Sequence, residues 1–328
     1  MLAAGFAGMV SIGAARADVV LSGPDANDGT YSSSSLAAAA TASDTASSGT
    51  LTGISLWGLL GGSPASSPTS PIYGAITTST PAGDNGKNAI LRYYLVATGS
   101  SGTSVISLGE IDPSFGGTGT IPDFVAYQST GGLLAAPELV VPGAPGRDVT
   151  GLTSLLLVAA PALPATPVAP GGPSTSVQLS GDVTNSGTYT LSALQSDFTP
   201  VTETVSGDTY TGVPIYSFLD PTTSFPASEI VVTQATDGYE VVYSLAELDP
   251  ALGGNPADLL PYADTAGNFP ADGVARTITP NDNAHGRWVS NLDAVEVTSV
   301  PEPGAAPLLA AAVVVLAWVR PTRQKFRD

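Results

Sequence analysis

Apolar positions along the chain fall in short runs broken by Gly, Pro, Asn and Asp, a rhythm of strands and turns and not of long helices. Glu229 to Ala235 and Tyr239 to Leu245 are two such runs, and Asp237-Gly238 between them predicts a hairpin turn. Ile90 to Thr98 with Ser104 to Leu108 predicts a second strand pair. Leu51 to Leu60 and Tyr210 to Leu219 each place a Gly turn before one apolar helical turn. That turn carries Trp57 or Tyr216, which the pattern marks as core anchors. Tyr189 to Leu194 reads as a strand leading into a short helix. Closing strands are expected at Leu152 to Val158 and Leu292 to Val297, each after a Gly-Arg turn, Gly146-Arg147 or Gly286-Arg287. Glu138 to Val141 and Ala275 to Thr279 are the strands expected before those turns. The pattern predicts an α+β chain, mainly β, with short helices.

The elements come in two sets. Gly109-Glu110-Ile111-Asp112-Pro113-Ser114-Phe115-Gly116-Gly117 answers Ala246-Glu247-Leu248-Asp249-Pro250-Ala251-Leu252-Gly253-Gly254. Asp249 stands 137 residues after Asp112, and Ser244 the same distance after Ser107. A constant offset across many residue types marks a duplication. Val20-Leu21-Ser22-Gly23 with Gly29-Thr30-Tyr31 likewise answers Leu179-Ser180-Gly181 with Gly187-Thr188-Tyr189. The expected layout is a signal peptide over 1–17, a first copy over 18–159, a stiff Pro-rich linker over 160–174, a second copy over 175–299 and a tail over 300–328.

Charge narrows the partners. The formal net charge is −18, with 10 basic residues against 28 acids. Arg320, Arg323, Lys325 and Arg327 lie in the tail and Arg16 near the start. The body therefore keeps only Lys87, Arg92, Arg147, Arg276 and Arg287. So acidic a body is repelled by nucleic acid and by anionic lipid, which excludes nucleic acid as a partner. There is no cysteine, so thiolate metal ligands, disulfides and thiol nucleophiles are excluded, and no metal site is expected.

The two ends read as addresses. Leu2 to Ala15 is small and apolar, and Ala15-Arg16-Ala17 fits a signal-peptide cleavage site. At the other end, Pro301-Glu302-Pro303 precedes a hydrophobic run from Ala305 to Val319 and a basic cluster. This order resembles the PEP-CTERM sorting signal. The resemblance implies a Gram-negative bacterium and processing by exosortase-type machinery. It also implies membrane attachment through a C-terminal transmembrane helix before processing, and residence at the cell surface or in an exopolysaccharide matrix.

The second copy resembles the molybdopterin-binding domain of the sulfite oxidase family. The resemblance rests on Tyr210-Thr211-Gly212-Val213-Pro214-Ile215, on Asp237 to Pro250, on Ala257-Asp258-Leu259-Leu260-Pro261-Tyr262, on Arg276-Thr277-Ile278-Thr279-Pro280 and on His285 to Val297. It covers about 190–298 well and 20–158 faintly. It implies two tandem mixed β domains with short helices. In the family such a domain buries a pterin dithiolene and holds molybdenum through a protein cysteine, which this chain lacks. The second copy offers Arg276, His285 and Arg287 as the residues that could grip an anionic cofactor. The structural alternative sets Arg287 over Trp288 or pairs it with an acid such as Asp293.

Other chemistry is poorly supplied. His285 is the sole histidine and no Gly-x-Ser-x-Gly elbow occurs, so a serine hydrolase is not expected. Glu110 with Asp112 and Glu247 with Asp249 could supply paired carboxylates, but their repetition marks a structural element. No catalytic residue is assigned. The expected function is a non-catalytic, surface- or matrix-associated protein of binding or structural role, without cofactor. The alternatives are an oxidoreductase-like protein that binds molybdopterin or another anionic small ligand, and an exopolysaccharide-binding module. The last would need an exposed aromatic platform from Trp57, Tyr93, Tyr94, Tyr239, Tyr243 and Trp288.

Overall fold

The computed structural model describes residues 17–24, 27–62, 72, 75–76, 88–117, 119–164, 171–222 and 226–300. The first set of strands is β1 (Val19–Ser22), β2 (Gly29–Tyr31), β3 (Thr45–Ser48), β4 (Leu51–Ser55), β5 (Tyr93–Gly99), β6 (Gly102–Ser107), β7 (Phe124–Ser129), β8 (Gly132–Val140) and β9 (Leu152–Ala159). The second is β10 (Val177–Gly181), β11 (Gly187–Tyr189), β12 (Val201–Val205), β13 (Asp208–Pro214), β14 (Glu229–Ala235), β15 (Glu240–Ser244), β16 (Leu259–Asp264) and β17 (Leu292–Ser299). The larger sheets run β2-β1-β9-β5-β6 and β11-β10-β17-β14-β15, and the smaller ones β3-β4-β7-β8 and β12-β13-β16. In each larger sheet the opening strand pairs parallel with the closing one, β1 with β9 and β10 with β17.

The duplication extends to backbone irregularities. β4 and β13 each carry a bulge, between Thr52 and Gly53 and between Thr211 and Gly212. A Cβ on Gly53 would lie 2.2 Å from the Val125 carbonyl oxygen, and one on Gly212 would lie 2.3 Å from that of Leu260. Only glycine lets the neighbouring strand approach this closely. Ser32 and Thr190 accept backbone N–H groups as N-caps of the helices Ser33–Ala39 and Leu191–Asp197, so the Ser/Ala-rich stretch of the first copy is the counterpart of the helix in the second.

β5, β14 and β15 carry apolar residues on both faces because both faces are covered. Every residue of β14 and of β15 is buried. One face packs inside its own repeat. On the other, Tyr94, Val96 and Val105 meet Ile230, Val232 and Val242 in a single cluster between the repeats, closed by Ala160, Leu163 and Val300. At its edge Arg92 pairs with Glu240 at 2.6 Å. The start of the linker is part of this seam, since the Leu163 N–H donates to Glu240 Oε1 at 3.2 Å. Residues 165–170 of the linker lie outside the described residues.

Two strand expectations change, and so does the start of the loop in the duplicated element. Ala89–Arg92 is a 3₁₀ turn, so β5 begins at Tyr93 and not at Ile90. Ala275 to Thr279 forms no strand and meets β16 through an isolated bridge between Leu259 and Ile278 and through the Arg276 N–H, which donates to the Pro261 carbonyl. The Glu of each duplicated element lies inside a helical turn, Leu108–Ile111 or Leu245–Leu248, and the loop starts only at the Asp-Pro that follows.

A membrane-crossing helix is the larger correction. Among the described residues no helix is long and apolar enough to cross a membrane. Ser33–Ala39 and Leu191–Asp197, the longest there, have 7 residues each, against about 20 for a span. The long apolar runs in these residues are strands that already have both faces covered. The signal segment up to residue 16 and the tail over 301–328, with its expected helix Ala305 to Val319, lie outside the described residues. The C-terminal hydrophobic helix, the transmembrane topology, the membrane as partner and the C-terminal anchor in the localisation are therefore withdrawn.

Candidate functional site

The three residues singled out in the second repeat part company in one turn. His285–Arg287 is a 3₁₀ turn, in which side chains three apart eclipse. His285 and Trp288 accordingly share a face, and their rings stack 3.7 Å apart at 10°. Arg276 approaches the same indole, its guanidinium 5.4 Å from the ring centroid, while pairing with Asp272. Arg287 points elsewhere. It lies over Tyr243, 5.3 Å from the ring centroid, and its partners are Asp282 and Glu247 instead of Asp293. The structure thus brings Arg276 and His285 together on Trp288 and sends Arg287 to the seam between the repeats.

At that seam the duplicated elements meet. Ser107 ends β6 and accepts the Glu110 N–H at 3.1 Å; Ser244 ends β15 and accepts the Glu247 N–H at 3.1 Å. Glu247 returns its carboxylate to the Ser244 N–H at 2.9 Å, completing a capping box. Each serine hydroxyl then crosses to the other repeat. Ser107 donates to Glu247 Oε1 at 2.7 Å, and Ser244 donates to Glu110 Oε2 at 3.1 Å.

An arginine from each Gly-Arg turn closes the figure. Arg147 forks onto both oxygens of Glu110 and donates to Ser244 Oγ at 3.1 Å and to the Val105 carbonyl at 3.2 Å. Arg287 donates to Glu247 Oε2 at 2.6 Å and to both oxygens of Asp282, at 2.7 and 2.8 Å. Arg287 lies against the first repeat. A Cβ on Gly116 would sit 2.6 Å from its Nη2, and one on Gly109 2.6 Å from its Cδ. The first Gly of the duplicated pair leaves the guanidinium room.

A cleft of ~350 Å³ opens over this network, lined also by Asp123 and Asp258. These aspartates precede β7 and β16, and their carbonyls receive the N–H groups of Leu56 and Ile215 at equivalent points. Burial pushes the Asp258 carboxyl up to about 8, with Arg287 pulling it down, so it holds its proton at neutral pH. Burial, then the charge of Glu110, pushes Asp123 up to about 7. Glu247 is likewise raised to about 7 by burial, against the pull of Arg287. Burial opposes the charge on both arginines, but their carboxylate partners hold them above their ordinary value.

Both arginines of the network are paired with carboxylates, while Arg147 Nε and Asp123 Oδ2 are buried without a hydrogen-bond partner. The network can store protons near neutral pH, but it leaves no cation to orient an anionic substrate. Asp112 and Asp249, the other halves of the duplicated carboxylate pairs, are buried and accept the Ser114 and Ala251 N–H groups at 2.8 Å, a turn-capping role. Sequence reasoning passed over Ser107, Ser244, Asp123 and Asp258 as site residues. The usable signal was the Ser-x-x-Glu spacing of Ser107 with Glu110 and Ser244 with Glu247, which is a capping-box pattern written twice.

The aromatic stock is spent inside the fold. Trp57, Tyr93, Tyr94, Tyr243 and Trp288 are all buried, and only Tyr239 is partly exposed. Molybdopterin does not fit the residues present. The chain has no thiolate to ligate molybdenum, and the arginines that would neutralise the pterin phosphate already serve carboxylates. Among the described residues no group of three or more His, Asp or Glu could hold a metal ion. No protein-family model matches the chain, and no curated protein matches it.

Proposed function

We propose that the chain is a non-catalytic protein with a binding or structural role, built on a duplicated scaffold that resembles the molybdopterin-binding domain of the sulfite oxidase family. One observation carries this reading. All four arginines among the described residues, Arg92, Arg147, Arg276 and Arg287, are paired with carboxylates. A scaffold that bound a phosphate-bearing cofactor would keep such groups free for it. Here the positive charge is turned inward: Arg92 pairs with Glu240 and Arg147 donates to Ser244 across the repeats, while Arg276 and Arg287 pair within the second repeat. Titration of the purified protein with inorganic phosphate, sulfate and sulfite tests this. No saturable heat or chemical-shift change is expected at millimolar anion. Saturable binding of any of these anions would overturn the reading.

A further inference from the structure

The chain has a second cleft, unlike the first in chemistry. It measures ~470 Å³ and lies where the end of the linker reaches the second repeat, with Asn88 of the first repeat at its margin. Its volume falls within the range of small-molecule pockets. Its edge is fastened: Thr236 Oγ1 donates to the Gly172 carbonyl at 2.7 Å and accepts the Gly172 N–H at 3.2 Å. The Asn88 side chain donates to the Tyr239 hydroxyl at 3.2 Å, and that hydroxyl donates to the Gly286 carbonyl, which ties both repeats to the rim.

Two features of the lining ask for a ligand. Asn291 is held at φ +55°, and its Oδ1 is buried without a hydrogen-bond partner. A buried carbonyl oxygen left without a donor costs about 1–3 kcal/mol, which a ligand hydroxyl would recover once the partly exposed Asn291 side chain turns its Oδ1 to the cleft. His285 is exposed and rests flat on Trp288, so an imidazole braced by an indole stands at the cleft. Charge is sparse among the described residues, with Asp237 the one acid in the lining and no arginine or lysine there.

We infer that this cleft binds a neutral sugar unit of mono- to disaccharide size. The His285 ring would lie against a sugar face, Asn291 Oδ1 would accept a hydroxyl, and Asp237 would take a neighbouring one. An anionic sugar is disfavoured because Asp237 opposes it and no arginine or lysine among the described lining residues answers it. The inference rests on the non-catalytic binding reading and adds a ligand class and an address to it.

Saturation-transfer NMR and calorimetry of the whole chain with glucose, galactose, mannose, N-acetylglucosamine, their β-linked disaccharides and glucuronate test it. At least one neutral sugar is expected to bind in preference to glucuronate. His285→Ala and Asn291→Gly are each expected to weaken it roughly tenfold, the equivalent of one good contact. Glycine keeps the left-handed backbone at 291, so that variant retains the fold, which circular dichroism checks. Absence of binding by every neutral sugar overturns the inference, as does binding that neither substitution changes. Either result leaves the non-catalytic reading standing, because that reading falls only to anion binding or to a bound molybdenum cofactor.

Discussion

Replacing Arg287 by methionine should be the most damaging single change at the seam. Methionine keeps the apolar stem beside Tyr243 but removes three charge-assisted hydrogen bonds, one to Glu247 and two to Asp282. It leaves two carboxylates without a counter-charge, their side chains only 8% and 2% exposed. Breaking a buried pair costs about 3–5 kcal/mol, and two orphaned acids place this variant at the upper end, near 5 kcal/mol. Arg147→Met orphans only Glu110, whose side chain is 15% exposed and can take up some water, so its cost should be near 3 kcal/mol. Neutralising the orphans in Arg287→Met/Glu247→Gln/Asp282→Asn should return stability to within ~2 kcal/mol of the parent, because uncharged amides lose much less on burial. Urea unfolding at neutral pH, followed by tryptophan fluorescence, reads all three. Single variants costing under ~1 kcal/mol, the range of exposed ion pairs, would refute the buried-clasp argument, and so would a triple variant no better than Arg287→Met.

Other perturbations probe the same seam. Asp258, with its folded-state carboxyl at about 8 against about 4 when unfolded, contributes stability that is full below about pH 4 and is lost as pH rises through about 8. Asp123 and Glu247 have the same sign, so unfolding free energy should fall between mildly acidic and mildly alkaline pH, and Asp258→Asn should flatten the fall in urea titrations across that window. Gly116→Ala sets a methyl 2.6 Å from Arg287 Nη2 and should cost about 1–3 kcal/mol by thermal unfolding, while Gly131→Ala, whose nearest neighbour would be Ser129 Oγ at 3.6 Å, should cost little. Ser107→Ala and Glu247→Gln remove the two ends of a 2.7 Å contact between repeats, and a double-mutant cycle should return a coupling above ~0.5 kcal/mol.

The strand content and the duplication were legible because they live in local signals. Asp237-Gly238 does mark a turn, with Gly238 at φ +86° and the Asp237 carboxylate receiving the Tyr239 N–H. Asp249 before Pro250 is extended, and Gly253 adopts φ +90° to reverse the chain. The partners of the charged residues were not legible, because they depend on which sheet faces meet. Arg147 finds Ser244 in the other repeat, and Arg287 turns away from its neighbour Trp288 because a 3₁₀ turn gives that face to His285. Glu110 and Glu247 looked like members of carboxylate pairs until the capping geometry placed them inside helical turns. The strand expected at Ala275 to Thr279 fails for a related reason. Its backbone N–H groups are divided between two neighbours, Arg276 to the Pro261 carbonyl of β16 and Thr277 to that of Val289, so no continuous ladder forms on either side.

The central claim is that this scaffold has turned its cationic groups inward and carries no anionic cofactor. Elemental analysis for molybdenum, with fluorescence assay of the oxidised pterin, on protein purified from its native cells tests it most directly. The account predicts background molybdenum and no releasable pterin. Molybdenum and pterin in stoichiometric amount with the chain would contradict it.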